Sequence, residues 1–172
     1  MAKIILNRVD NRLIHGQVTA NWVRSLAIDT IVLIDDSIPE DKFLRQVLQM
    51  SIPQGRKLLI FSPEDAIGEW KKDNFGLGRA MIVFKNIAGA YASFKKGLPI
   101  DHLQIGGVEH AAGRKMVLES IALSDEEALT LNEFEKMGTE VYFQIVSEYK
   151  PVQWEKIRKK SFPHLDTAEL NR

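Results

Sequence analysis

The strongest constraint on this chain is an alternation. Short apolar runs at Lys3–Leu6, Thr30–Ile34, Lys57–Phe61, Ala80–Phe84, His102–Ile105 and Glu140–Val146 are separated by segments of helical periodicity. A run such as Ile31-Val32-Leu33-Ile34 has no polar face, so it suits a strand covered on both sides. Strands of that kind joined by helices predict an α/β fold: a single domain with an open, mostly parallel sheet, helices on both faces and one antiparallel strand.

The helical segments carry their own signals. Val18, Trp22 and Leu26 make one face of a helix over Gln17–Ala27. A second helix opens near Pro39-Glu40-Asp41 and is expected to bury Phe43, Leu44, Val47, Leu48 and Met50. Ser62-Pro63-Glu64-Asp65 supplies an N-cap, an N1 proline and two acids for a third, running to about Lys72. A fourth spans Ala88–Lys96. Ser124 and Glu127 have the spacing of a capping box, and the helix they start ends at Met137-Gly138. Gly106–Arg114 reads as an irregular loop, followed by short extended pieces at Met116–Leu118 and Ser120–Ala122. Trp154 and Phe162, in and beside the basic segment Trp154–Lys160, are expected to pack the last helix on the sheet, with an exposed interface as the alternative. The domain is therefore placed at residues 1–162, with a frayed tail at 163–172.

Composition excludes several classes of function. Lys+Arg and Asp+Glu both number 23, so global charge offers no attraction to nucleic acid or to a membrane surface. Cysteine is absent, which rules out disulfides and thiolate metal sites. His15, His102, His110 and His164 lack metal-ligand spacing. There is no phosphate-binding Gly-x-x-x-x-Gly-Lys-Ser/Thr loop, no Gly-x-Gly-x-x-Gly after the first strand and no serine elbow. No apolar run approaches a membrane span, and a cytoplasmic location with no cofactor is expected.

One stretch carries chemistry: Arg8-Val9-Asp10-Asn11-Arg12-Leu13-Ile14-His15-Gly16-Gln17-Val18. An imidazole on an exposed loop is a nucleophile available near neutral pH. Arginine grips phosphate oxygens with a planar fork of donors. Gly16 permits a tight turn, and the amides of Gly16 and Gln17 would open the next helix as anion donors. Arg8 and Arg12 also have a plainer reading, as partners of Asp10 on a solvated turn. Asp35 and Asp36 read as turn and capping groups, and Lys85-Asn86 as a loop and helix start. Gly106-Gly107 would let a backbone approach a phosphate closely, and His110 reads as a polar loop histidine.

The stretch resembles the phosphorylation-site signature of the IIB components of the mannose/fructose/sorbose family of the sugar phosphotransferase system, which also includes N-acetylgalactosamine members. There an Arg-x-Asp-x-Arg-Leu-Ile/Val-His-Gly-Gln-Val string carries the phosphorylated histidine, and every fixed position is matched here. The family often has a histidine one place before His110, where this chain has Glu109. The resemblance implies a protein-phosphohistidine–sugar phosphotransferase. A IIA component would phosphorylate His15, on Nδ1 in the family, and the phosphoryl group would pass to a sugar entering through membrane components IIC and IID. It implies a protein peripheral to the inner face of the membrane, with sugar selection largely in the membrane components. Arg12 is the first choice for the phosphate clamp. Arg8 is the second, or else it orders the loop through Asp10. Arg45 is a further candidate, since the family often has a functional arginine in that region. A phosphorylation-responsive regulatory or binding domain that does not phosphorylate sugar is the alternative, a free-standing phosphotransferase a third reading. A homodimer is left open.

Overall fold

The computed structural model describes residues 1–169; residues 170–172, the end of the expected tail, lie outside the described residues. Nine strands and seven helices follow one another as β1 (Lys3–Asp10), α1 (Gly16–Ser25), β2 (Thr30–Ile34), a 3-10 turn (Ile38–Glu40), α2 (Lys42–Ser51), β3 (Lys57–Phe61), α3 (Pro63–Asp73), β4 (Arg79–Phe84), α4 (Ile87–Lys95), β5 (His102–Gly107), β6 (Lys115–Leu118), β7 (Ile121–Leu123), α5 (Asp125–Lys136), β8 (Glu140–Phe143), β9 (Val152–Gln153), α6 (Trp154–Ser161) and α7 (Pro163–Glu169). The main sheet runs β3-β2-β4-β1-β5-β8-β9, parallel except for β9, and β6-β7 form a separate antiparallel pair. The expected mostly parallel α/β architecture is the one observed.

Two apolar clusters flank the sheet. Trp22 and Val23 of α1 and Leu48 of α2 pack on one face with Leu6, Ile31, Leu33, Met81 and Val83. Residues of α3, α4, α5 and α6, among them Ala66, Ala90, Phe134 and Trp154, pack on the other with Val9, Val32, Ile82, Phe84 and Leu103. Strand β1 lies between β4 and β5, parallel to both. Its pairing with β4 passes from Ile4↔Ala80 to Leu6↔Met81, so Ile5 is an extra residue, a bulge.

Local capping works as the sequence predicts. Ser62 Oγ accepts from Asp65 N at 3.1 Å, Asn86 Oδ1 from Gly89 N at 2.7 Å, and Ser124 with Glu127 completes a capping box. Asp35 Oδ1 accepts from the Ser37 and Ile38 amides, so this carboxylate is a turn group.

Four expectations are corrected. Strand β1 does not stop at Leu6 but continues through Asn7, Arg8, Val9 and Asp10. Gly106 and Gly107 belong to β5 rather than to the loop after it. On α2 only Leu48 is buried, with Leu44 partly so; Phe43 and Met50 are 77% and 87% exposed, and Val47 is exposed as well. A helix lying on a sheet has one face to bury, and Leu44 and Leu48 take it. Finally, Pro163–Glu169 is helical and Leu165 is buried, so the start of the expected tail packs on the domain rather than fraying. Trp154 and Phe162 are fully buried, as expected of a segment packed on the sheet.

Candidate functional site

The loop after β1 leads to α1 on one face of the sheet, whereas the chain after its neighbours β4 and β5 runs to α4 and, through the β6-β7 pair, to α5 on the other. Chains that depart to opposite faces leave a crevice at the carboxyl ends of the strands, the usual ligand position in such sheets. His15 stands there. It is exposed and is the N-cap residue of α1.

The loop that presents His15 is tightly held. Leu13 N donates to Asp10 O at 2.9 Å, and Leu13 (φ 63°) and Gly16 (φ 40°) both adopt left-handed backbone. Nothing crowds the position of a Cβ at Gly16, so its φ, not space, is what calls for glycine there. Between the two turns Ile14 is buried in the cluster beneath α1, anchoring the residue before the histidine. The His15 amide donates to Thr19 Oγ1 at 2.8 Å, while its carbonyl accepts from Val18 N at 3.0 Å. The imidazole has no recorded hydrogen-bond partner among the described residues. The first amides of α1, on Gly16 and Gln17, are those an α-helix leaves without internal acceptors; the Gln17 side chain lies outside what is described.

Behind the loop lies a charged cluster that local reading places on a solvated turn and the structure buries. Asp10 accepts from Arg12 Nε and Nη2, each at 2.9 Å, from Arg12 N at 3.1 Å and from Arg8 Nη2 at 3.0 Å. Arg8 is only 2% exposed. Its remaining donors reach Gln104 Oε1, Gln144 O at 2.9 Å and Ile145 O at 2.9 Å, and its guanidinium lies 5.5 Å over the Trp22 ring. These partners explain how a strand carries two charges into the interior: each is paired and hydrogen-bonded. Burial alone would raise the Asp10 carboxyl; hydrogen bonds from Arg12 and the charges of both arginines outweigh it and hold Asp10 below its ordinary range. The hydrogen bonds to Asp10 raise Arg12 above its ordinary value, whereas burial lowers Arg8.

The arrangement separates the two arginines. Arg8 spends its fork inside the protein and fastens the turn after β8. Arg12 is part-exposed, and Asp10 occupies only its Nε and Nη2 edge; no acceptor for Nη1 is recorded among the described residues. A planar donor fixed on one edge and open on the other is preorganised for an anion. Gly106 and Gly107 make the cluster possible. A Cβ on Gly106 would overlap the Arg8 guanidinium, and one on Gly107 would lie 2.7 Å from Asp10 Oδ1. These glycines therefore admit side chains of this protein.

The other candidates lie apart. Arg45 is exposed and donates to Pro39 O at 3.2 Å, with no recorded contact to the His15 loop. His110 is exposed on the loop after β5, and Arg114 joins that loop to α5 by donating to Glu109 O and to both oxygens of Glu127. Asp35, Ser62 and Asn86 share the carboxyl edge as turn and capping groups. Sequence reading missed Thr19, Gln104 and Gln144. Only Thr19 left a local trace, as a hydroxyl four residues after His15; the glutamines meet Arg8 through the fold.

Fold and site together define a doubly wound α/β domain that presents one loop histidine three residues after an arginine steadied by a buried carboxylate. Residues 4–169 match the model of the PTS system sorbose subfamily IIB component, and the chain belongs to that family. A solved structure of manxB from Thermoanaerobacter tengcongensis is similar with 34% identity and a TM-score of 0.89, covering 95% of this chain and 99% of that one. The IIBSor domain of the sorbose permease from Klebsiella pneumoniae follows at 27% identity and a TM-score of 0.87, covering 94% and 99%. The sorbose-specific EIIB component of Lacticaseibacillus casei is 27% identical over 143 residues, 83% of this chain and 87% of that protein. The chain is thus a IIB component of the phosphotransferase system, a transferase that serves phosphoryl transfer in sugar uptake. Among the described residues no helix is long and apolar enough to cross a membrane.

Proposed function

We propose that His15 is the phosphoryl acceptor of this chain. The observation that carries the reading is an exposed imidazole at the switch point of the sheet, on the loop that also carries an arginine held by Asp10 on one edge. The donor is a phosphohistidine of a IIA component. The lone pair of a neutral His15 nitrogen attacks phosphorus in line; the N–P bond to the donor breaks and leaves its imidazole. In the second step a sugar hydroxyl attacks the phosphohistidine. The O–P bond forms, the N–P bond at His15 breaks, and the freed imidazole nitrogen takes the hydroxyl proton. Both steps need positioning and neutralisation of equatorial oxygens more than covalent help. Arg12 supplies the charge through Nη1, Asp10 aims it, and the Gly16 and Gln17 amides add donors at the helix start. The sugar arrives through membrane IIC and IID components, so the protein works in the cytoplasm, peripheral to the membrane.

The test uses enzyme I, the phosphocarrier protein, a IIA partner and labelled phosphoenolpyruvate, reading label on the protein and then on sugar in membranes. His15→Ala should fold and take no acid-labile label, while His110→Ala should be labelled as wild type. Full labelling of His15→Ala overturns the assignment. Label that stays on the wild-type protein and never reaches sugar makes it a regulator instead.

A further inference from the structure

Two guanidiniums share one carboxylate in the passage from β1 to the His15 loop. Asp10 Oδ2 accepts from Arg8 Nη2 at 3.0 Å and from Arg12 Nη2 at 2.9 Å, so both cations meet at one oxygen. The cluster therefore holds two positive charges against one negative. No other charged partner of the three is recorded among the described residues. Tyr142, a further titratable group near Arg8, is a phenol that burial keeps neutral. The other acceptors of Arg8 are all uncharged: Gln104 Oε1, Gln144 O and Ile145 O. Gln104 is fully buried, and its Nε2 donates to Gln144 Oε1 at 3.2 Å. An acid at either of these two positions would cancel the excess charge, and the chain has glutamine at both.

Without Arg8, the carboxylate that holds Arg12 would also neutralise it. A bidentate guanidinium–carboxylate pair has no net charge and offers an anion only a dipole. Arg12 would then be well aimed and weakly attractive. Arg8 resolves that conflict from inside the protein, where screening by water and salt is weak. We infer that Arg8 is a positioning residue for phosphoryl transfer: it offsets the charge of Asp10, so that Asp10 holds Arg12 without cancelling it. Arg8 touches neither phosphate nor sugar and acts through Asp10. The inference rests on the reading of His15 as acceptor and Arg12 as clamp, and adds to it the source of the clamp's net charge.

The test separates charge from hydrogen bonding. Arg8→Gln leaves a neutral Asp10–Arg12 pair, and single-turnover transfer from phosphorylated His15 to sugar should fall at least about tenfold. That is the order of one unit charge acting over ~10 Å of protein. Adding Asp10→Asn restores the excess of one positive charge and none of the bonds that Arg8 made. The double variant should therefore transfer several-fold faster than Arg8→Gln, and Arg8→Lys, a charge without the fork, should do so too. A merely structural Arg8 predicts the reverse, with the double variant as slow as the single one or slower. Inorganic phosphate, titrated against the unphosphorylated protein and followed by NMR at the Gly16 and Gln17 amides, should rank the variants in the same order. If Arg8→Gln does not fold, Arg8→Lys and the double variant, which loses both buried charges together, should each bind phosphate within about fivefold of wild type. Weaker binding in either, a double variant no faster than Arg8→Gln, or wild-type transfer by Arg8→Gln overturns the inference. Failure of the acceptor reading would show separately, as label on His15→Ala.

Discussion

Asp10 grips Arg12 with both carboxylate oxygens, at 2.9 Å to Nε and 2.9 Å to Nη2, from a position inside the protein. An arginine that reaches an anion from a flexible stem must first lose its rotamer freedom; this one has lost most of it in the folding of the domain.

Removing Arg12 should therefore separate the two half-reactions. Arg12→Ala keeps His15 and still accepts phosphate from its protein donor, more slowly. Transfer to sugar suffers more, because a neutral hydroxyl brings no cation. Loss of one preorganised donor costs about 2.7–4 kcal/mol of transition-state stabilisation, roughly a hundred- to thousand-fold in rate. Arg12→Lys should rescue part of it, since a point charge cannot copy the fork held by Asp10. Single-turnover rates of both steps decide; wild-type sugar transfer by Arg12→Ala would make Arg12 structural.

Asp10 should matter to stability in a pH-dependent way. Asp10→Asn leaves Arg8 buried without its counter-charge, and breaking such a pair costs about 3–5 kcal/mol. The folded carboxyl titrates below its ordinary value of 3.8. Its contribution is thus fully present above that value and fades as pH falls through the lower folded one. Denaturant unfolding of both proteins should show a wide gap at neutral pH that narrows in acid below the ordinary value. A gap independent of pH would mean that the ion pair is not its source.

Two glycines should respond in opposite ways to the same change. Gly106→Ala pushes a methyl into the Arg8 guanidinium and should destabilise by about 1–3 kcal/mol, with faster amide exchange in the turn at 144–149 that Arg8 fastens. Gly68→Ala, in the middle of α3 with open space around it, should stabilise by up to about 1 kcal/mol. Equal effects at the two positions would contradict the packing described.

Thr19 is expected to act on His15 without touching phosphate. Thr19→Val keeps the shape but removes the acceptor of the His15 amide, at about 0.5–1.5 kcal/mol of stability. Thr19→Ser retains the hydroxyl and should restore the rate. Phosphoryl acceptance by Thr19→Val should slow while its label remains on His15. An unchanged rate would reduce Thr19 to a helix residue.

Much of this fold is legible locally because its signals are local. The buried strands are apolar runs, and Ser62, Asn86 and Ser124 announce helix starts through their own hydroxyl or amide oxygens. What escapes such reading is set by distant partners. Arg8 and Asp10 look like turn residues until Gln104 and the carbonyls of Gln144 and Ile145 are brought beside them. Gly106-Gly107 resembles a ligand-binding turn, but its neighbours are the arginines and the carboxylate of β1. On α2 the five apolar residues are equivalent in composition; which of them face the sheet is decided by how the helix is laid down. The candidacy of His15, by contrast, rests on residues adjacent to it in the chain and can be read locally.

The bulge at Ile5 gives the last consequence. Side chains of a strand alternate between its two sides, so one inserted residue reverses the parity of all that follow. With Ile5 present, Arg8 and Asp10 emerge toward Trp22 and α1, where the loop to His15 departs, and Asn7 and Val9 turn to the opposite layer. Deleting that single residue would deliver the charges into the apolar layer beneath α3 and α4, and the amide of Asn7 to the layer of α1. The address of the whole site is written as an odd or even count, five residues into the chain.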